Sequence, residues 1–325
     1  MSVIIRVFEA FSGVGAQRMA LRNLGVEHEV IGISEIDKFA IQSYEAIHGE
    51  TANFGDISKL NPKDLPDFDL FTYSFPCQDL SVAGQCAGMV KGQTRSGLLY
   101  ECEKVIEAKR PKYLLLENVK NLVGKKFKLQ FDEWLSYLEG LGYTNYWQVL
   151  NAKDYGNIPQ NRERVFVVSI LGEHSSYKFP KPIPLKKVVR DILEDEVDEK
   201  YFSNKPFKLV NKGKVQAEFL IGNFDQGKRI HGLDSYFQTL GALERGTNNI
   251  LVENKKGLTK QEVKRTTDYR VRKLTPKECW RLMGFCDEDF EKAKAIGVSN
   301  AQLVKQAGNS IVVPVLEGIF SELFK

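Results

Sequence analysis

Phe68-Asp69-Leu70-Phe71-Thr72-Tyr73-Ser74-Phe75-Pro76-Cys77-Gln78-Asp79-Leu80-Ser81 is the stretch on which the reading of this chain turns. Its apolar run, Phe68 to Phe75, reads as a buried strand, and a single cysteine follows a proline at its end. The carboxyl end of a strand is where open α/β sheets present chemistry. Pro76 fixes its own φ and holds Phe75 extended, so the Cys77 side chain would be aimed. Taken alone, Cys77 reads first as a small buried hydrophobe, the fate of most free cysteines. Its company along the chain decides otherwise.

Working outward, strands and helices alternate. Ile4–Phe8 reads as a strand, Gln17–Leu24 as an amphipathic helix, His28–Ser34 as a strand and Lys38–His48 as a helix. Leu70–Ser74 is followed by a helix over Leu98–Lys109, Tyr113–Glu117 by a helix over Lys128–Leu141, and Trp147–Asn151 and Arg164–Ile170 read as strands. Strands separated by helices imply βαβ units and a doubly wound, mostly parallel sheet. After Gly172 the rhythm breaks at Pro180, Pro182 and Pro184. A short acidic helix is expected over Val188–Glu196, then a smaller, irregular β-rich region. Helical periodicity returns at Thr275–Gly284, where Thr275-Pro276-x-Glu278 is a good helix start, and Ile311–Leu323 reads as a final helix. The expected domains are 1–180 plus 300–325, a second over 185–285, and a hinge over 286–299.

The chain has 325 residues, 42% of them apolar, enough for a sizeable core in one large domain or two modest ones. Its five cysteines (Cys77, Cys86, Cys102, Cys279, Cys286) contain no CxxC pair, which argues for a reducing compartment and against structural zinc; no metal site is expected. The amino terminus has no signal-peptide pattern and no apolar run approaches a membrane span, so a soluble, cytoplasmic protein is expected. Residues 200–273 hold 16 Lys and Arg against 7 Asp and Glu, whereas the whole chain carries only +4. That asymmetry fits a segment facing a polyanion as well as it fits a solvated lysine-rich surface.

Three constellations carry chemistry. Glu9-Ala10-Phe11-Ser12-Gly13-Val14-Gly15 joins the first strand to the first helix, and its glycines would let a ligand approach backbone. It is not the dinucleotide GxGxxG, and a plain tight turn is the simpler reading. Glu35 after the second strand could bind ribose hydroxyls, and Asp56 could accept from an adenine amino group. With few basic residues nearby, the set suggests an adenosyl ligand with little phosphate recognition. Glu117-Asn118 ends an apolar strand, where a carboxylate suits general-acid work or is merely a cap or surface acid. Arg162 and Arg164, at spacing two, could clamp a carbonyl or phosphate or form ordinary ion pairs.

The ordered set Phe11-Ser-Gly-Val-Gly15, Glu35, Asp56, Phe75-Pro-Cys-Gln78, Gly97-Leu-Leu99, Glu117-Asn-Val119, Gln160-x-Arg162-x-Arg164, Arg272–Pro276 with Arg281-Leu-Met-Gly284, and Gly308-Asn-Ser310 resembles the DNA (cytosine-5) methyltransferases. The match spans nearly the whole chain in the family's motif order. The compact length is similar to the bacterial or phage restriction–modification enzymes, and the catalytic motifs look most like the CpG-specific bacterial member.

The resemblance implies an S-adenosylmethionine-dependent methyltransferase fold with a target-recognition domain. It implies methyl transfer from S-adenosylmethionine to C5 of a flipped cytosine in duplex DNA, through a covalent Cys77 adduct at C6. Glu117 would hold or protonate N3, Arg164 would contact O2, and Arg162 would sit at the thiolate or a flanking phosphate. Phe11, Gly13, Gly15, Glu35, Ile36, Asp56, Ile57, Pro76, Leu99, Asn309 and Ser310 would form the cofactor pocket. Gln78, Ser81, Arg95, Lys228, Arg229 and Thr239 would contact DNA, with Ser81–Arg95 a mobile lid and Thr239-Leu240 the family's Thr-Leu pair behind the flipped base. A monomer acting on double-stranded DNA is expected, with room for a separately acting endonuclease. Two competing readings are a tRNA cytosine methyltransferase, against which Phe75 and the lack of a Cys-Phe-Thr signature stand, and an inactive DNA-binding regulator, which should show a damaged motif.

Overall fold

A computed structural model describes residues 4–76, 80, 95–221, 225–242, 248–253 and 268–325. The chain forms two compact units. One holds the chain to Asn151, Glu163–Lys181 and Val315–Lys325; the other holds Ala152–Arg162 and Pro182–Pro314.

The first unit is built on β1 (Ile5–Ala10), α1 (Ala16–Asn23), β2 (His28–Ser34), α2 (Lys38–His48), β3 (Leu70–Tyr73), α3 (Leu99–Lys109), β4 (Tyr113–Val119), α4 (Lys128–Gly140) and β5 (Tyr143–Asn151). The short α5 (Ala152–Tyr155) lies in the second unit, and β6 (Glu163–Leu171) returns to the first. The sheet order is β2-β1-β3-β4-β6-β5. β1 to β4 run parallel, whereas β6 is antiparallel to both β4 and β5. β3 is buried throughout, the pattern of a strand covered on both faces. Phe8, Phe71 and Tyr73 stack at 5.7 and 5.1 Å within this core. β5 begins four residues before the expected Trp147, and its mostly half-exposed residues accord with its place at the sheet edge.

The second unit carries β7 (Phe202–Ser203), β8 (Phe207–Lys212), β9 (Val215–Phe219), the short α6 (Asp225–Lys228), β10 (Arg229–His231), β11 (Asn249–Glu253) and β12 (Tyr269–Lys273). They form one sheet in the order β7-β12-β11-β10-β9-β8, antiparallel except for β10 against β11. It is more regular than expected, with Ala217, Phe219, Ile230, Leu251 and Val271 as its small core. Helices α7 (Pro276–Arg281), α8 (Asp287–Ala295) and α9 (Asn300–Asn309) follow, then α10 (Val313–Leu323).

One expected element differs. Val188–Glu196 is not a helix; only a 3-10 turn, Val189–Ile192, forms there. The amides of Val189 and Arg190 donate to the carbonyls of Ser235 and Leu233, and that of Glu194, which a helix would turn back on Arg190, donates to the Glu278 carboxylate. The segment 286–299, expected as a hinge, contains α8, whose first turn is acidic and last turn basic in accord with the helix dipole. The capping box Thr275–Glu278 is present as expected. Glu278 also accepts both guanidinium nitrogens of buried Arg272 at 2.7 Å. Among the described residues, no helix is long and apolar enough to cross a membrane.

Candidate active site

The parallel strands of the first unit end in register. Ala10 pairs with Ser34 and Tyr73, and Tyr73 pairs with Leu116. The segments that follow each strand therefore leave the sheet along one carboxyl edge, the place where such sheets bind ligands.

At the β1–α1 turn, Phe11 has φ 56°, a left-handed conformation rare for a non-glycine residue, held by its amide donating to Ser34 O at 2.8 Å. Gly13 also has positive φ, and a Cβ there would meet nothing within 4 Å. Its amide donates to Glu35 Oε2 at 2.9 Å, while Glu35 Oε1 accepts from the Ile36 and Asp37 amides. Ile36 is 72% exposed, an apolar side chain standing at the ligand edge. Gly15 is different: a Cβ there would lie 2.5 Å from His48 Nε2, so its absence lets α2 pack on the turn.

Beneath the turn lies a carboxyl that sequence reading missed. Glu9 is fully buried on β1 and accepts from Tyr44 Oη at 2.6 Å. Burial raises it to about 7, against the pull of Tyr44 and of the Arg18 charge and amide. The visible signal was one acid in a strand whose other residues, Arg6 apart, are apolar. Asn53 was missed too. Its Oδ1 accepts from the Glu35 and Gly55 amides, and its Nδ2 donates to Glu35 O at 3.1 Å, tying the β2 end to the Asp56 loop. Asp56 accepts from the Ser58 amide and hydroxyl, which hold its carboxyl below the usual range. Ile57 and Leu99 put their side chains in the core.

Cys77 and Gln78 lie outside the described residues, as does Ser81 with nearly all of the expected lid; the side chain of Arg95 does too, although its backbone opens a 3-10 turn, Arg95–Leu98. The shoulders of the cysteine are described. Asn118 Nδ2 donates to Phe75 O at 3.0 Å, Ser96 Oγ to Pro76 O at 2.8 Å, and Asn121 Nδ2 to Leu80 O at 2.6 Å. Next to Asn118, Glu117 lies diagonally across the β4–β6 ladder from Arg164, with Arg164 Nε 3.2 Å from Glu117 Oε1.

Arg162 behaves differently from Arg164. Its buried guanidinium donates to the carbonyls of Leu240, Gly308 and Ser310, all within the second unit. Asn309 is exposed and Ser310 caps α9. Thr239 Oγ1 donates to Asn161 O at 2.7 Å. Lys228 ends α6, and Arg229 opens β10 opposite Glu218.

The profile described as C-5 cytosine-specific DNA methylase matches residues 5–325. The chain belongs to this family. The methylase is 42% identical to the type II methyltransferase M2.ScrFI of Lactococcus lactis subsp. cremoris, over 99% of each chain. It is 35% identical to the orphan methyltransferase M.SPBetaI of Bacillus phage SPbeta, over 98% of this chain and 97% of that one. It is also 35% identical to the type II methyltransferase M.NlaX of Neisseria lactamica, over 98% and 96%. Its fold is similar to that of the crystal structure of S. pombe Dnmt2 methyltransferase, with a TM-score of 0.72 at 23% identity and 98% of each chain covered.

The methylase is therefore a DNA (cytosine-5-)-methyltransferase that uses S-adenosylmethionine as methyl donor. The residues fit that cofactor. The open space over Gly13, the exposed Ile36 and the carboxylate of Glu35 suit a nucleoside.

Proposed function

We propose that this methylase modifies one cytosine within a specific duplex sequence, as restriction–modification methyltransferases do, by transient attachment of Cys77 to cytosine C6. The target base must leave the stack to be reached, at a cost of a few kcal/mol. The Cys77 thiolate forms the S–C6 bond and the double-bond electrons move to C5. Glu117 holds N3, where charge changes during attack, and Arg164 both orients Glu117 and contacts O2. Bound S-adenosylmethionine would supply the electrophilic methyl group that C5 accepts, its S–CH3 bond breaking to leave S-adenosylhomocysteine. Loss of the C5 proton and cleavage of S–C6 then free 5-methylcytosine and the thiolate.

Phe11, Gly13, Gly15, Glu35, Ile36, Asp56, Ile57, Pro76 and Leu99 are assigned to the cofactor, and Asn309 and Ser310 by motif order. Residues 1–180 with 300–325 act as the catalytic part and 185–285 as the target-recognition part. Lys228, Arg229 and Thr239 face DNA, with Gln78, Ser81 and Arg95. Phosphate contacts from the basic stretch give affinity, and base-edge contacts give sequence choice. The enzyme acts as a monomer, with any endonuclease a separate protein.

The observation that carries this reading is the Glu117–Arg164 pair beside Asn118, which itself fixes the carbonyl two residues before Cys77. Bisulfite sequencing of host DNA after expression tests it: methylation confined to one short sequence is expected. Label transferred to tRNA with none in duplex DNA would refute it.

A further inference from the structure

The second unit contains a clamp that the reaction does not require of any single residue. Gln160 is fully buried. Its Oε1 accepts from the Leu240 amide at 2.8 Å and its Nε2 donates to Leu282 O at 2.8 Å. One partner can only donate and the other only accept, so the amide has one orientation. Two residues on, Arg162 Nη1 donates to Leu240 O at 3.2 Å. Both backbone groups of Leu240 are thus held from one short segment. The same guanidinium reaches Gly308 O at 3.1 Å and Ser310 O at 2.7 Å. The backbones also meet directly, since a Cβ on Gly308 would lie 2.4 Å from Ala242 N and Gly241 O. The neighbouring chain is zipped to the same segment by Phe237 N to Pro159 O and Asn161 N to Phe237 O.

We propose that Gln160 is a positioning residue that couples the Thr239–Leu240 segment to the Gly308–Ser310 segment, so that cofactor binding and target-DNA binding strengthen each other. This rests on the reading above, in which Thr239 faces DNA and Asn309 and Ser310 face the cofactor. Gln160 touches neither ligand. It fixes Leu240, whose carbonyl shares the Arg162 guanidinium with Ser310. A ligand that settles either segment therefore settles the other, and linkage makes the effect reciprocal.

The test measures binding of a plasmid fragment that the enzyme methylates, with and without S-adenosylhomocysteine, in the full-length protein and in Gln160→Met. In the natural protein S-adenosylhomocysteine should tighten DNA binding about tenfold, within the usual range of coupling. In Gln160→Met the factor should fall to about two or less, while S-adenosylhomocysteine binding without DNA changes less than about threefold. A variant that keeps the natural factor overturns the proposal, as does a natural protein with no coupling. If Gln160→Met does not fold, hydrogen exchange of the natural protein decides. S-adenosylhomocysteine alone should slow exchange of the Leu240 amide, and unchanged exchange overturns the coupling. A protein that binds no S-adenosylhomocysteine refutes the functional reading and the coupling with it; one that binds both ligands independently refutes the coupling alone.

Discussion

Arg164 Nε lies 3.2 Å from Glu117 Oε1, with the side chains 16% and 10% exposed. The pair sits on adjacent antiparallel strands at the edge where β4 delivers Asn118 to the Phe75 carbonyl. A guanidinium that is always charged holds a carboxylate in one orientation, and a lysine has no fork to do so. Glu117→Gln should lower turnover by about 10²–10⁴-fold, the usual scale for a positioned acid–base group. Arg164→Lys should lower it too, and the double variant should lose less than the two effects combined, because the residues act together. Single-turnover methylation with saturating duplex checks this. Full additivity would show that the pair does not act as a unit.

Glu9 sets a pH dependence in the first unit. Its carboxyl is raised by burial from 4.5 to about 7. The folded state therefore holds the proton more tightly than the unfolded chain. The associated stability is fully present below pH 4.5 and is lost as pH rises through 7, roughly 3 kcal/mol in all. Glu9→Gln keeps an oxygen for Tyr44 and removes the titration. Its stability relative to the natural protein should be higher at pH 8 than at pH 5 by urea unfolding. An equal difference at both pH values would contradict this.

His231 sets the opposite slope in the second unit. Burial foremost, with Lys214 and Arg229 adding, lowers it from 6.5 to about 4, while Gln238 pulls the other way. Its contribution is present above pH 6.5 and lost as pH falls through 4, again roughly 3 kcal/mol. His231→Phe, which keeps an aromatic ring against Phe237 where the imidazole lies tilted at 4.4 Å, should remove that acid sensitivity. The natural protein and the variant should differ in the slope of stability between pH 4 and 6.5. Parallel curves would refute the assignment.

The Arg272–Glu278 pair is 4% and 0% exposed, and Glu278 also accepts the Thr275 and Glu194 amides. Removing one charge leaves the other buried and unpaired, so Glu278→Gln should cost about 3–5 kcal/mol of stability. Denaturant midpoints read this directly; a loss below 1 kcal/mol would mean that water or another acid replaces Glu278.

Much of the first unit was legible because local pattern and tertiary role agree there. His28–Ser34 and Lys38–His48 fall where periodicity places them, with Asp37 capping the helix. The second unit was less so. Val188–Glu196 looks helical, but its amides serve Leu233, Ser235 and Glu278, partners far along the chain. The dipole-matched charges of Asp287–Ala295 were visible and went unused. At the site, motif order singled out Glu117, Arg164 and Glu35, and the structure places each at or near a strand end. The hold of Arg162 on Leu240 and Ser310 was not legible, since spacing along an extended chain says nothing of which backbone folds over it. Asn53, and the contacts of the motif residue Gln160, were hidden for the same reason: each bonds to backbone groups, which leave no mark on the partner's sequence.

The central claim is that Cys77 attacks C6 of the target cytosine. A duplex carrying 5-fluorocytosine at the mapped site, incubated with enzyme and S-adenosylmethionine, tests it most directly, because the fluorine at C5 cannot leave as the proton does. The account predicts a denaturation-resistant protein–DNA adduct whose peptide map places the attachment on Cys77, and its absence in Cys77→Ala, which should still bind S-adenosylmethionine. An adduct on another residue, or methyl transfer surviving in Cys77→Ala, would contradict it.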